Sequence, residues 1–124
     1  MEATVAQHPA TQLSLKLLRA DERFTLVEVV EYWKKHPGMA NGVRVDLFNI
    51  IDILCLGPGI TMGVQTTSEA GFSARMKKLR EHENTRPVLA AGWLLEVHGW
   101  AKVKNRWTLT KHKRFELESP PQEE

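Results

Sequence analysis

Cysteine is nearly absent. The chain has one, Cys55, so no disulfide can form within it. A lone thiol inside an apolar run points to a reducing compartment. Cys55 reads as a small core side chain rather than a nucleophile. Long hydrophobic runs are missing too: none approaches the roughly 20 residues that a membrane helix needs. The first residues lack a basic segment followed by an apolar one. The expectation is a cytoplasmic protein with no membrane partner. Charge of one sign is scarce, the net being +2, which neither requires nor excludes nucleic acid. There is no Walker-type glycine loop and no Gly-x-Ser-x-Gly elbow. The five histidines, His8, His36, His82, His98 and His112, are scattered, and no pair has helical metal-ligand spacing, which argues against a zinc site.

What is present suits one globular domain. The chain has 124 residues, 42% of them hydrophobic and 26% charged, enough for a modest core without staples. Residues 1–11 are polar and without apolar period, a disordered lead-in. The tail at 118–124 is acidic and proline-containing, also expected to be disordered. The domain is expected between them, at 12–117.

The organising stretch is Arg44 to Leu56. Residues 50 to 56 are almost continuously apolar and read as a strand buried on both faces, with Asp52 in its middle. A buried carboxylate is costly unless a metal, a hydrogen-bond network or a cation compensates it. In a regular strand Asp46, Phe48, Ile50, Asp52 and Leu54 share one face. Gly57-Pro58-Gly59 marks a tight turn into a second strand, Ile60 to Ser68, where Gln65 and Thr67 share a face. Asp52 then lies near Gln65. Such oxygen ligands suit magnesium.

Around this centre, Leu13, Leu17 and Leu18 suggest a first helix with Thr11 or Ser14 as cap. Phe24 to Trp33 fits either a helix stripe or a β-branched strand. Lys34 to Val43 reads as a loop. Glu69 to about Glu83 reads as a helix with Phe72, Met76 and Leu79 inward and Arg75, Lys77, Lys78 and Arg80 elsewhere. Pro87 and Gly92 bracket a short helix, Val88 to Ala91. Trp93, Leu95 and Val97 alternate as in a half-buried strand. A last strand, Arg106 to Phe115, follows a turn near Lys104-Asn105.

This order, with Asp52 on a strand and Gln65-Thr66-Thr67 on the next, followed by a basic helix, resembles the PD-(D/E)XK nuclease superfamily and its small resolvase-like endonucleases. Val30-Glu31-Tyr32-Trp33, the stretch from Arg44 to Asp52, Gly63 to Ser68 and Ser73 to Lys78 also resemble a group of phage and prophage proteins. The likeness covers roughly residues 13 to 116. It favours the strand for Phe24 to Trp33, with Glu31 at its exit beside Val27 and Val29. It implies an α/β fold with a central mixed β-sheet flanked by helices, in restriction-endonuclease-like topology. Asp52 matches the superfamily's metal-binding aspartate and Gln65 the first position of its E-x-K element. Gln65 stands where glutamate is usual and Thr67 where lysine is usual, so Lys77 or Lys78 must supply the missing charge.

Each candidate also has a plainer reading. Asp52 is either salt-bridged to Arg44 or a lysine, or a metal ligand with Gln65 and a second acid. Asp46 is a strand-end residue or a partner of Arg44, with ligation as its alternative. Glu31 is an exposed salt-bridging acid or a ligand from the first strand. Gln65 is a polar residue satisfied within the sheet unless its place opposite Asp52 recruits it. Thr67 and Ser68 are explained by β-propensity or helix capping. The basic residues are a solvated face or phosphate contacts, with Trp100 and Trp107 interleaved for stacking. Trp93 reads as core.

The resemblance as a whole implies a Mg²⁺- or Mn²⁺-dependent, endonuclease-like phosphodiesterase acting on DNA, encoded by a phage. Asp52 would lead the metal set, with Gln65, Glu31 and Asp46. Arg44, Thr67, Ser68, Arg75, Lys77, Lys78, Lys102, Lys104 and Arg106 would touch nucleic acid. A catalytically inactive nuclease-fold module that binds nucleic acid or protein is the alternative, and a structural phage accessory protein a third. A homodimer stays open.

Overall fold

Glycine and proline at 57–59 leave the chain one way to turn, with Gly59 in the left-handed region that glycine tolerates. The turn joins β4 (Ile53–Gly57) to β5 (Ile60–Ser68), which pair antiparallel from Gly57↔Ile60 to Ile53↔Val64. The computed structural model of the chain describes residues 9–35, 37–38 and 42–116. The lead-in and tail expected at the two ends lie outside these residues except for Pro9, Ala10 and Thr11.

The β4–β5 hairpin is the middle of a five-stranded mixed sheet in the order β1-β4-β5-β6-β7. β1 (Leu26–Val29) pairs antiparallel with β4. From β5 the chain crosses over through α2 (Phe72–Glu81) and α3 (Thr85–Ala90) to β6 (Leu94–Val103), which runs parallel to β5. β7 (Arg106–Phe115) returns antiparallel through Lys104 and Asn105, both at positive φ as a tight hairpin requires. The expected α/β class with a central mixed sheet and flanking helices is what the chain adopts.

Alternation along the strands sends apolar side chains to both faces of the sheet. On one face Ile53, Cys55, Met62 and Val64 pack under Leu15 and Leu18 of α1 (Ala10–Arg19). On the other, Leu95 and Val97 meet Leu79 and Val88, with Phe72 and Met76 alongside. The stripe expected on α2 is therefore its packing face.

Several expectations change. Residues 50 to 56 are not one strand. The chain reverses between Asp46 and Asp52, with Leu47 bridged to Ile51 and with Phe48 (φ 55°) and Asn49 (φ 65°) left-handed. Asp52 precedes β4, so the five-residue shared face does not form. Apolar character alone cannot separate a buried turn from a buried strand. Ile50 and Ile51 are fully buried, contributing roughly 1.5–3 kcal/mol each, which offsets the ~1–3 kcal/mol that a left-handed phenylalanine costs. Gly63 makes room for this: a Cβ there would meet Ile51 Cδ1 at 2.5 Å.

The segment Phe24 to Trp33 breaks at Val30–Glu31 into β1 and β2 (Tyr32–Lys34), and β2 forms a separate two-stranded sheet with β3 (Val43–Val45). α1 starts after Pro9, not at a Thr11 or Ser14 cap, because both hydroxyls are engaged elsewhere. α3 starts at Thr85, two residues before Pro87, whose missing N–H falls in the first turn where it has no partner to lose. β6 is buried on both faces along Leu95–Trp100 rather than half-buried, since β5 and β7 flank it and helices cover both sides.

Candidate functional site

Asp52 is fixed before its side chain does anything. Its N–H donates to Val64 O at 2.9 Å and its carbonyl accepts from Val30 N at 2.8 Å, tying it between β5 and the end of β1. The reversal at 47–51 brings Asp46 back beside it, and the break after Val29 turns Glu31 inward from the other side. Carboxylate oxygens of Glu31, Asp46 and Asp52 lie within 4.8 Å of one another. Strand alternation does not assemble this cluster. Two interruptions of strand do.

Among the described residues, the donors to Asp52 are neutral. Oδ2 accepts from Gln65 Nε2 at 2.7 Å, from Thr66 N at 2.7 Å and from Thr66 Oγ1 at 3.0 Å. Gln65 Nε2 also reaches Asp46 Oδ2 at 3.2 Å, so one amide group bridges two acids. Thr66 gives its only hydroxyl proton to Asp52, so Thr11 must be the donor in the 2.7 Å contact between the two threonine hydroxyls. This ties α1 to the site.

Burial pushes the Asp52 carboxyl up to about 6, and the neighbouring Asp46 charge adds to it; the hydrogen bonds from Thr66 and Gln65 pull the other way without cancelling it. Of the three acids Asp52 is buried, while Glu31 and Asp46 are half-buried; carboxylates this close raise one another's proton affinity, and positive charge shared among them relieves that. The donors are hard oxygens, as Mg²⁺, Mn²⁺ or Ca²⁺ prefer. Gln65 fits differently from a ligand: its amide nitrogen, not its oxygen, faces the acids. Turning the amide by 180° would aim Oε1 at the same place.

Lys78, half-buried on α2, points its Nζ at Gln65 Oε1 at 3.4 Å. Lys77 next to it is exposed, so of the two it is Lys78 that joins the cluster. Thr67 and Ser68 do not offer themselves to a nucleic acid. Thr67 is buried against Gly71 at the start of α2, and Ser68 Oγ accepts from Gly71 N at 3.1 Å. Arg44 lies on β3, and its side chain falls outside the described residues. Arg75 is partly exposed. Lys102, Lys104 and Arg106 are exposed at the β6–β7 turn, where Lys102 Nζ sits 5.3 Å from the Trp107 ring. Trp100 is not available for stacking: it is buried, and its Nε1 donates to Ser14 Oγ at 2.8 Å. Trp93 packs at the edge of the α2/α3 core, as expected. Cys55 is fully buried, and burial pushes its thiol up to about 12, the profile of a core side chain.

One buried polar chain has no counterpart in the sequence reading. Ser14 Oγ lies 3.0 Å from His98 Nδ1, His98 Nε2 lies 3.3 Å from Glu96 Oε1, and Arg114 holds Glu96 Oε2 through Nη2 (2.8 Å) and Nε (3.0 Å). The order serine, histidine, acid is that of a nucleophilic triad. Ser14, however, is fully buried and accepts from Trp100, so no substrate carbonyl reaches it. The chain clamps α1 onto β6 and β7. The hydrogen bond from His98 leads in holding the Glu96 carboxyl below its usual range. Glu96 and His98, two apart on one strand, were a visible pair; Ser14, 84 positions earlier, was not.

No family model, curated protein or solved structure matches the chain. The site therefore rests on its own chemistry. Among the described residues no helix is long and apolar enough to cross a membrane.

Proposed function

We propose that Glu31, Asp46 and Asp52 bind Mg²⁺ or Mn²⁺ and that the chain is a metal-dependent phosphodiesterase acting on DNA, of the PD-(D/E)XK kind. The observation that carries this is the convergence of three carboxylates around a buried Asp52 with Lys78 one residue-contact away. Bound there, the metal would neutralise phosphate charge and favour ionisation of water.

The remaining roles belong to the chain's own groups. Asp52, locked between β1 and β5, sets the position of the cation; Asp46 and Glu31 complete its charge balance. Gln65 orients Lys78, whose ammonium on its flexible stem reaches a phosphate oxygen and stabilises charge there. Lys78 on α2 thus takes the role that the missing E-x-K lysine would have from position 67. Lys102, Lys104 and Arg106 make phosphate contacts further along the strand.

A second reading has its own support. The Gln65 amide already satisfies both aspartates, and Asp52 has three donors, so the cluster can persist as a closed network. That suits a nuclease-fold binding module without catalysis. Single-stranded, duplex and branched DNA incubated with Mn²⁺ separates the two. The enzyme reading expects slow cleavage, lost in Asp52→Asn and reduced in Lys78→Ala. Salt-sensitive, metal-independent binding without cleavage would instead assign the module.

A further inference from the structure

The reversal between Asp46 and Asp52 does more than deliver two acids. It holds Phe48 outward. Phe48 has positive φ, where an aromatic residue is strongly disfavoured and glycine or asparagine would fit without strain. The conformation is pinned by Asn84 Nδ2, which donates to Phe48 O at 2.9 Å. Despite that restraint Phe48 is 47% exposed. It stands 6.0 Å from the Trp93 ring, tilted by 51°. Between the turn and α3 lies an open pocket of about 290 Å³ lined by Phe48, Asn84, Pro87, Val88, Ala91 and Trp93.

One wall of this pocket is tied to the acids by the chain itself. Phe48 is two residues from Asp46, at most about 7 Å of backbone. An apolar, aromatic-walled recess that close to a phosphate-directed cation site matches a nucleotide, charged at one end and flat and apolar at the other. Lys78 and the acidic cluster address the phosphate, and Phe48 and Trp93 offer ring faces to the base. A base in a continuous duplex has both faces stacked and cannot enter. We propose that the Phe48–Trp93 pocket binds one unpaired nucleobase of the strand whose phosphate engages the acidic site, which makes single-stranded or unstacked nucleic acid the preferred substrate. This rests on the nucleic-acid reading above and narrows it.

The test is oligonucleotide binding by the full chain with Ca²⁺ present, using a labelled single strand of about a dozen nucleotides, a length within the range such sites span, and its blunt duplex. Phe48→Gly removes the ring and also relieves the backbone, so it should fold at least as well as the parent. Phe48→Tyr keeps the ring. The expected result is single-strand affinity about tenfold weaker in Phe48→Gly, retained in Phe48→Tyr, with the salt slope unchanged because no phosphate contact is lost. Equal single-strand affinity in Phe48→Gly and parent overturns the base pocket while leaving nucleic-acid binding standing. Binding of neither oligonucleotide by the parent overturns the nucleic-acid reading itself. A parent dimer that Phe48→Gly dissolves in sedimentation overturns the nucleobase assignment in favour of a second copy of the chain.

Discussion

Gln65 Nε2 donates to Asp52 Oδ2 at 2.7 Å, and the same nitrogen reaches Asp46 at 3.2 Å. A neutral amide thus bridges two of the acids that the proposed cation would share. Replacing it by a fourth acid tests how the cluster is balanced. Gln65→Glu removes two hydrogen bonds and adds like charge, but gives Lys78 an ion-pair partner. The apo protein is expected to lose about 1–3 kcal/mol and to regain it with Mn²⁺. Urea denaturation with and without the metal measures both. A variant equally destabilised in both conditions would place Gln65 outside any metal site.

Asp52 makes stability depend on pH in an unusual direction. Its folded-state value, about 6, lies above the ordinary 3.8. Folding therefore favours the protonated form. The contribution is fully present below about 3.8 and is lost as pH rises through about 6. This group alone is expected to cost on the order of 2–3 kcal/mol between pH 4 and pH 7. Asp52→Asn keeps the shape and cannot titrate, so the apo variant should be at least as stable as the parent at pH 7.5. Stability curves of the two proteins from pH 4 to 8 should diverge as pH rises. Parallel curves would show that the carboxyl ionises in the fold as freely as in the unfolded chain.

Glu96 runs the opposite way. Its folded value is lowered, chiefly by His98, so its contribution is present above its ordinary value of 4.5 and is lost as pH falls through the lowered folded value. The clamp it belongs to should be structural only. Ser14→Ala leaves Trp100 Nε1 and His98 Nδ1 without their partner and should cost about 1–3 kcal/mol. Metal binding, measured by calorimetry, should stay within a factor of two or so of the parent. A large loss of metal affinity with intact stability would contradict a purely structural clamp.

Position 67, where the resembled E-x-K pattern would carry a lysine, has no room for one. It lies buried on the α2 side of β5, with Gly71 directly over it. Thr67→Lys forces a long charged chain under the start of α2 and should destabilise by about 1–3 kcal/mol. Thermal melting of the single variant checks this. An unchanged Tm would mean that the space beneath α2 is open and that position 67 is available to the site.

Much of the architecture was legible because local rules govern it. The Gly57-Pro58-Gly59 turn, the bounds of β5, the packing stripe of α2 and the Lys104-Asn105 hairpin follow from turn chemistry and periodicity. The meeting of Asp52 with Gln65 followed from the hairpin register. The route by which Asp46 and Glu31 arrive did not. It depends on Phe48 adopting a conformation against its own preference, offset by burial of Ile50 and Ile51, and on β1 stopping at Val29, which no local pattern marks. The roles of Trp100, Thr67 and Ser14 were hidden for the same reason: their partners are set by tertiary contact, not spacing.

The central claim is that the acidic cluster is built for a cation, and differential melting of the parent and Asp52→Asn tests it most directly. At pH 7.5, saturating Mn²⁺ should raise the parent Tm by roughly 5–10 °C. Asp52→Asn, equal or higher in Tm without metal, should show no such rise. A parent indifferent to Mn²⁺ and Mg²⁺, or a variant that gains as much as the parent, would contradict the account.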